Sequence, residues 1–340
     1  MNKWLRQIPI GCVVFGLLFT AGQGIAADIK ERSIKLGYVL PEDHPLGLGA
    51  KKWSELLAQK SGGKIKARTY PAGAIGGDTQ MISSLQGGIQ ELGLITSAPI
   101  VGVVKEFGVL DLPFIFSNEK EADAVLDGPV GQKLLAKLSD KGMVGLGWME
   151  NGFRNVTSSK RPITKAEDLQ GLKIRVMQNP VYLDVFNTLG ANAVPMAFTE
   201  LYTALEQKAV DAQENPLAII NANKFNEVQK YLSATRHSYS PFAVIASKKF
   251  WDKLTPDEQK LFKETAIEAS AYQRKVLREA DRKLFAELKT KGMEVNELSP
   301  QELANMREKL RPVIDKYAKE IGEDTVKETF AEIDKVRKQK

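Results

Sequence analysis

The sequence predicts an α/β protein with two lobes and one long helix that spans both. Strand-like and helix-like segments alternate from residue 33 to about residue 240, which is typical of βα units in mixed or parallel sheets. The 340 residues leave about 314 after a leader of 26, enough for two domains. A helical pattern near the C-terminal end then runs unbroken for about 35 residues, or roughly 50 Å.

The first 26 residues predict a secretory signal peptide. Lys3 and Arg6 form a positive start, residues 8–19 are mostly apolar, and Gly24-Ile25-Ala26 is a small-x-small cleavage signal. The apolar run is too short for a membrane anchor, which is the alternative. We therefore expect a soluble protein of the bacterial periplasm.

The predicted elements follow in order along the chain. The first third reads as the strand 33–39, the helix 50–59, the strand 64–70, the helix 78–87 and the strand 91–95. Asp78 is expected to cap the second of these helices. A strand at 143–148, a strand at 172–176 and a helix at 181–189 come next. A capping box at Thr255 starts the long helix, which runs to about Thr290, and a second capping box at Ser299 starts a shorter helix. Residues 323–338 predict a solvated covering helix.

Composition excludes several classes of function. Cys12 is the only cysteine and lies inside the leader, so we expect neither disulfides nor thiol chemistry. Removal of the predicted leader takes away Lys3 and Arg6 and leaves 46 of the 48 basic residues. With 42 acidic residues, the net charge is a mild +4. Because the lysines are spread among glutamates, we expect no nucleic-acid partner, whereas a small anionic ligand is compatible with this charge.

Residues that most enzymes need are scarce. His44 and His237 are the two histidines, and they are far apart in the sequence. Zinc-peptidase, serine-hydrolase and phosphate-loop motifs are absent, and Gly145-Leu146-Gly147 lacks the third glycine of a dinucleotide site because position 150 is Glu. We therefore predict a protein that is not an enzyme, has no cofactor or metal, and binds a ligand between its lobes.

Two arginines are candidates for binding an anion. Arg175 lies late in the strand of "GLKIRVMQNP" (171–180), before the N-terminus of a helix, where ligands of α/β sheets bind. Arg154 lies in "WMENGFRNVTSSKRPI" (148–163), at the entry into the second lobe. Arginine can hold a carboxylate by two parallel hydrogen bonds. The alternative for each is a solvent-facing charge, and Lys173 on the same strand face favours it for Arg175.

Other residues are placed to reach the same ligand. Asn215, held by the following proline, can bridge ligand and protein, although an ordinary polar turn is the commoner role. Phe198 is a candidate wall of the cleft, with core packing as the alternative. Thr96 follows the strand 91–95, and His44 lies in the first strand-to-helix loop.

Five long segments, in the same order along nearly the whole chain after the leader, match one known pattern. They are "VLDLPFIF" (109–116), "GFRNVTSSKRPI" (152–163), "DLQGLKIRV" (168–176), "PMAFTELYTALEQKAVDAQENPLAII" (195–220) and "KFNEVQKYLSATRHSYSPFAVIASKKFWDKL" (224–254). These segments resemble the substrate-binding proteins of TRAP transporters, the DctP family.

The resemblance implies the two-lobed fold of periplasmic binding proteins, type II-like, with a long helix spanning both lobes. Lobe one is expected at 28–151 plus 241–280, and lobe two at 152–240 plus 281–340. The resemblance also implies a monomer that captures a small organic anion, closes its cleft and delivers the anion to the membrane subunits of a TRAP permease.

The resemblance further assigns roles to residues. Arg175 is expected to pair with the ligand carboxylate, Arg154 to assist, and Asn215 to complete the polar set, although Ala212 replaces the glycine of the usual "DGQENP". The residues expected to vary with substrate are His44, Thr96, Gln178, Phe198 and Tyr239.

The identity of the ligand stays open at this point. C4-dicarboxylates such as succinate or malate and sugar acids such as uronates or aldonates are equal candidates, ahead of keto acids. Three other functions are alternatives: a sensor partner of a signalling kinase, a binding protein of an ABC transporter, and a periplasmic enzyme.

Overall fold

The computed structural model describes residues 28–339, and the predicted signal peptide lies outside this range. Within residues 28–339, nine strands form one mixed sheet in the order β2-β1-β3-β8-β4-β7-β5-β6, with β9 beside β8. The strands are β1 (Arg32–Gly37), β2 (Ile65–Tyr70), β3 (Leu92–Thr96), β4 (Met143–Ser158), β5 (Lys173–Val176), β6 (Asn192–Pro195), β7 (Ala212–Asn215), β8 (Tyr231–Ser247) and β9 (Glu294–Glu297).

Helices cover the sheet and fill the connections between its strands. The α-helices of the described range are α1 (Pro45–Lys60), α2 (Asp78–Gly87), α3 (Ser97–Ile100), α4 (Glu119–Asp127), α5 (Pro129–Lys137), α6 (Pro180–Thr188), α7 (Leu201–Glu206), α8 (Leu217–Ala222), α9 (Lys248–Trp251), α10 (Pro256–Thr290), α11 (Pro300–Lys309), α12 (Arg311–Ile321) and α13 (Glu323–Lys338). Short 3-10 helices occur at Lys105–Asp111, Ser139–Lys141, Ala166–Leu169, Phe198–Glu200 and Phe225–Glu227.

The long strands β4 and β8 join two groups of shorter strands. At one end, residues 242–246 of β8 pair antiparallel with β3, which continues into the parallel strands β1 and β2. At the other end, residues 155–158 of β4 pair antiparallel with β7, which continues into the parallel strands β5 and β6. Strand β8 therefore carries one strand group, strand β4 carries the other, and the pairing of β4 with β8 joins them.

Strand β4 is longer than the sequence predicts. The predicted strand 143–148 continues to Ser158, because β4 passes through three register shifts instead of ending at its glycines. One shift lies between Glu150 and Gly152, and Gly152 has a φ of 108°, which favours glycine. Such bulges bend a strand locally and raise its twist. The glycines of this segment therefore mark bends within a strand.

The prediction of a long helix is confirmed by α10, which has 35 residues. The side chain of Thr255 accepts a hydrogen bond from the N–H of Glu258, and the carboxylate of Glu258 accepts one from the N–H of Thr255. Near its start α10 contacts α1, where Trp53 Nε1 donates to Thr265 Oγ1 at 3.0 Å. Near its end it contacts α8 and β9, so it runs past both strand groups.

The cap of one helix differs from the sequence prediction, and the last helix agrees with it. Asp78 does not cap α2: Gly77 is the N-cap residue, and its N–H donates to the side chain of Gln80 at 3.0 Å. Asp78 is the first helical residue, and its carboxyl group accepts a hydrogen bond from the N–H of Thr96 instead. The final helix α13 covers α4, buries Val326 and Ile333 and keeps most of its charged residues exposed, as predicted for a covering helix. Among the residues that the structure describes, none of the helices has the length and apolar composition needed to cross a bilayer.

Candidate functional site

A cavity of about 20 Å³ lies where strand ends of both groups meet. Thr96 ends β3, Arg175 lies late in β5, and Asn215 ends β7, while Arg154 comes from the middle of β4. Six of the eight predicted site residues line this cavity: Thr96, Arg154, Arg175, Gln178, Phe198 and Asn215. Asp78, Asn151 and the backbone segment 196–198 also line it.

Arg175 is buried in this cavity, with 2% of its surface exposed, so the alternative of a solvent-facing charge is wrong. Its Nε and Nη2 atoms both donate to the carbonyl oxygen of Met196, at 3.0 and 2.7 Å. Its Nη1 atom has no hydrogen-bond partner among residues 28–339. Burial lowers the pKa of Arg175 to about 10, against the opposing effect of Glu214. The guanidinium group stays charged at neutral pH and offers one unused pair of donors.

The surroundings of Arg175 fix its position without neutralising it through a direct ion pair. Its guanidinium carbon lies 5.9 Å from the ring centre of Phe198, a cation–π distance. Asp78 lies on the same cavity and accepts a 3.4 Å hydrogen bond from the N–H of Thr96. Burial raises the pKa of Asp78 to about 7, although Thr96 and Arg175 act in the opposite direction. The cavity is therefore lined by a cationic group, Arg175, and by a weakly acidic group, Asp78.

Arg154 is also fully buried, but its charge is compensated within the protein. It forms a two-pronged ion pair with Glu214, with Nε to Oε2 at 2.5 Å and Nη2 to Oε1 at 2.8 Å. Burial acts to raise the pKa of Glu214, but the charge of Arg154 lowers it overall. His237 Nε2 lies 3.1 Å from the same carboxylate. A solvent-facing charge is therefore wrong for Arg154 too, and most of its donors are used by the protein.

The amide of Asn215 belongs to the same buried network. Its Oδ1 atom accepts from Arg154 Nη2 at 3.0 Å, and its Nδ2 atom donates to Gln213 Oε1. That bond uses one of the two Nδ2 protons. The proline after Asn215 sits at the N-cap of α8, which holds the end of β7 in place. Sequence reasoning missed Glu214, although it lies in the same "QENP" segment.

Gln178, Thr96 and Phe198 surround the charged groups. Gln178 is exposed, and its Oε1 atom lies 3.5 Å from Thr79 Oγ1. Thr96 is buried, and Phe198 is half-buried with its ring 6.2 Å from that of Phe225. These three residues therefore come from both strand groups and meet at one place.

The other two predicted site residues, His44 and Tyr239, are not part of this cavity lining. His44 is buried and caps α1, where its Nδ1 atom accepts from the N–H of Leu46 at 3.0 Å, and burial lowers its pKa to about 3. Tyr239 is buried between the rings of Phe116 and Phe153, at 5.7 and 5.2 Å. Their ligand-binding roles stay predictions.

Comparisons with known proteins identify the family. The family described as "Bacterial extracellular solute-binding protein, family 7" (DctP) matches residues 36–320. The C4-dicarboxylate-binding periplasmic protein DctP of Rhodobacter capsulatus is 34% identical over 326 residues, which cover 95% of this chain and 97% of that protein.

Two solved structures are similar over most of the chain. The sugar acid binding protein DctPAm of Advenella mimigardefordensis, in complex with galactonate, is 47% identical with a TM-score of 0.89, and the match covers 91% of this chain and 99% of that one. A TRAP periplasmic solute binding protein from Polaromonas, bound to D-erythronate, is 40% identical with a TM-score of 0.86, covering 88% and 99%. The predicted two-lobed α/β fold and the resemblance are thereby confirmed. The chain belongs to family 7 of the bacterial extracellular solute-binding proteins.

Proposed function

We propose that the protein binds an organic acid through Arg175 and delivers it to the membrane subunits of a TRAP-type permease. The observation that carries this proposal is the unpaired Nη1 atom of Arg175, buried in the cavity while its other two nitrogens are fixed to Met196. A buried donor without a partner costs free energy, and a ligand carboxylate supplies the missing acceptor. Relatives that bind galactonate, D-erythronate and C4-dicarboxylates support an organic acid as the ligand.

Among organic acids, we favour a sugar acid with one carboxylate. The charge of Arg154 is compensated by Glu214, so Arg175 is the cation of the described lining that lacks a direct ion-pair partner. A second carboxylate on the ligand would face Asp78 across the same small space, whereas hydroxyl groups can donate to it. C4-dicarboxylates remain the second candidate, because Arg154 also lines the cavity.

Binding involves the opening and closing of a cleft. A cavity of about 20 Å³ admits about one water molecule, so the walls must separate to admit a sugar acid. Several contacts cross between the strand groups. Asn179 Nδ2 donates to the carbonyl oxygen of Ala98 at 2.9 Å. Gly73 lies so close to Thr199 that a β-carbon added to Gly73 would overlap the Thr199 side chain. These contacts form when the walls approach, and the permease reads the closed shape.

The proposed moving bodies are the predicted lobes, 28–151 plus 241–280 and 152–240 plus 281–340. Two of their boundaries fall together, one at the register shift between Glu150 and Gly152 of β4 and the other between Ser240 and Pro241 of β8, which pair with Gly152 and Glu150. Bent, irregular pairing at this point is where rotation would disturb the fewest sheet hydrogen bonds. The third boundary, after residue 280, falls within α10. The boundaries stay a prediction until an open form is measured.

A thermal-shift screen across organic acids tests the function. A ligand at about 100 times its Kd adds roughly 2.7 kcal/mol of stability, which raises the melting temperature by several degrees at this size. Galactonate, D-erythronate, galacturonate, malate and succinate form the first panel, with neutral galactose as the matched control without a carboxylate. We expect at least one sugar acid, and not galactose, to stabilise the protein. Equal shifts with galactose, or none with any acid, would refute the proposal.

A further inference from the structure

Asn151, on β4, has an unpaired atom in the same cavity. Its side chain is 1% exposed, and its Nδ2 atom donates to Ser240 Oγ on β8 at 3.0 Å. Its Oδ1 atom has no hydrogen-bond partner among the residues that the structure describes. We infer that Asn151 is a specificity-determining residue that accepts a hydrogen bond from a hydroxyl group of the ligand. This inference rests on the proposed function and adds a second contact to it.

The hydrogen bonds of the cavity lining single out this atom. Of the buried side-chain polar atoms that line the cavity within residues 28–339, two lack partners: Arg175 Nη1, a donor, and Asn151 Oδ1, an acceptor. The amide of Asn215 already accepts from Arg154 and donates to Gln213. The two unpaired atoms therefore have opposite hydrogen-bonding character.

Only some ligands satisfy both atoms. A carboxylate accepts hydrogen bonds from Arg175 but has no proton for Asn151, whereas a hydroxyl group donates to Asn151. A hydroxy acid therefore completes both groups, and an acid without a hydroxyl leaves Asn151 unpaired at a cost.

The position of Asn151 is fixed from both sides. The preceding residue, Glu150, is held by Gln273 of α10, whose side-chain amide donates to the Glu150 carbonyl oxygen and accepts from its N–H, both at 2.8 Å. Ser240, the partner of Asn151, also accepts from Arg154 Nη1 at 3.2 Å. A side chain held this firmly can discriminate between ligands that differ by one hydroxyl group.

A cycle that combines a protein change with a ligand change tests the inference. Calorimetry measures the binding of D-erythronate and of its analogues that lack the 2-hydroxyl or the 3-hydroxyl to the wild type and to Asn151→Ala. We expect the wild type to lose about threefold to tenfold in affinity for one of the two analogues, the range of a neutral hydrogen bond. In Asn151→Ala the same analogue should bind within about twofold of D-erythronate.

Controls separate this inference from the proposed function. Asn192→Ala, at an exposed amide outside the cavity lining, should leave the loss caused by the hydroxyl deletion unchanged. Asn151→Ser serves if Asn151→Ala does not fold, as judged by circular dichroism. Equal losses for every analogue in wild type and variant would overturn the role of Asn151 while the proposed function stands. If the wild type binds neither D-erythronate and its analogues nor any acid of the screen, both the role of Asn151 and the proposed function are overturned.

Discussion

Replacement of Arg175 by lysine is the most direct perturbation of the proposed clamp. The side chain has three nitrogen atoms, of which Nε and Nη2 hold the Met196 carbonyl and Nη1 is free for the ligand. Lysine keeps the positive charge but has one nitrogen, which cannot hold Met196 and meet a carboxylate with the same fork geometry. Arg175→Lys therefore removes the ligand contact while it keeps the charge and most of the packing.

The magnitude follows from the single contact that is lost. A hydrogen bond to a charged group contributes about 1.5–3 kcal/mol, and each 1.4 kcal/mol changes the dissociation constant about tenfold. We therefore expect the Kd of the best acid from the screen to rise roughly 10- to 150-fold in Arg175→Lys. The melting temperature without ligand should change little, because the lysine ammonium still reaches a polar, charged cavity.

Isothermal titration calorimetry gives the dissociation constants, and thermal denaturation confirms the fold of each variant. Lys173→Ala is the matched control, because Lys173 lies two positions earlier on β5 and is exposed. It should bind the acid with the affinity of the wild type. Unchanged affinity in a folded Arg175→Lys protein would refute the claim that Arg175 holds the carboxylate.

Three further predictions concern the buried polar groups. Glu214→Ala leaves Arg154 as an uncompensated buried charge, so urea denaturation should show a loss of about 3–5 kcal/mol. Burial raises the pKa of Asp111 to about 8, so between about pH 4 and 8 the folded protein keeps a proton on this group that the unfolded chain has released. This group therefore makes the free energy of unfolding fall as the pH rises from about 4 to 8. Asp111→Asn should make that fall less steep, by at most about 1.4 kcal/mol per pH unit. Asn179→Ser keeps a cap on α6 but removes the bonds from Nδ2 to Ala98 and Asp111, so stopped-flow should show ligand dissociation about 3- to 10-fold faster.

Each of these predictions has a defined contrary result. A loss below about 1 kcal/mol in Glu214→Ala would mean that the pair contributes no more than a surface ion pair. A pH profile of Asp111→Asn that matches that of the wild type would contradict the assignment. Asn192→Ser, at an exposed position, is the control for Asn179→Ser. An unchanged rate of ligand dissociation in Asn179→Ser would show that the contacts of Asn179 do not hold the closed form.

Local patterns in the sequence were sufficient for several elements. The capping box at Thr255 predicts the start of α10 at Pro256, and the unbroken pattern predicts its end at about Thr290, because a helix end depends on side chains three or four positions apart. Alternating apolar residues predict β5, and the position of Arg175 late in that strand predicts that it lies at the candidate site, where it lines the cavity. In each case the deciding contacts are close in the sequence.

Other features depend on residues that are far apart in the chain. The continuation of β4 past Gly152 is set by pairing with β8, so the glycines that resemble a strand end are bends. Asp78 gives a helix-cap signal in the sequence, yet Gln80 takes the capping interaction and Asp78 lines the cavity. His44 and Tyr239 lie in suitable segments, but His44 caps α1 and Tyr239 packs between Phe116 and Phe153, so both are buried and neither is in the cavity lining.

The sequence by itself determined the family, the order of elements and the two arginines, because motifs and periodicity are local properties. The tertiary structure decided how those arginines differ. Glu214 lies 60 residues from Arg154 in the chain and compensates its charge, whereas Arg175 is fixed by a neutral carbonyl oxygen and keeps a free donor. Asn151 became visible in the same way, since an unpaired atom is recognised only when all of its neighbours are in place. Charge compensation and hydrogen-bond satisfaction depend on contacts through space, and local sequence patterns do not encode them.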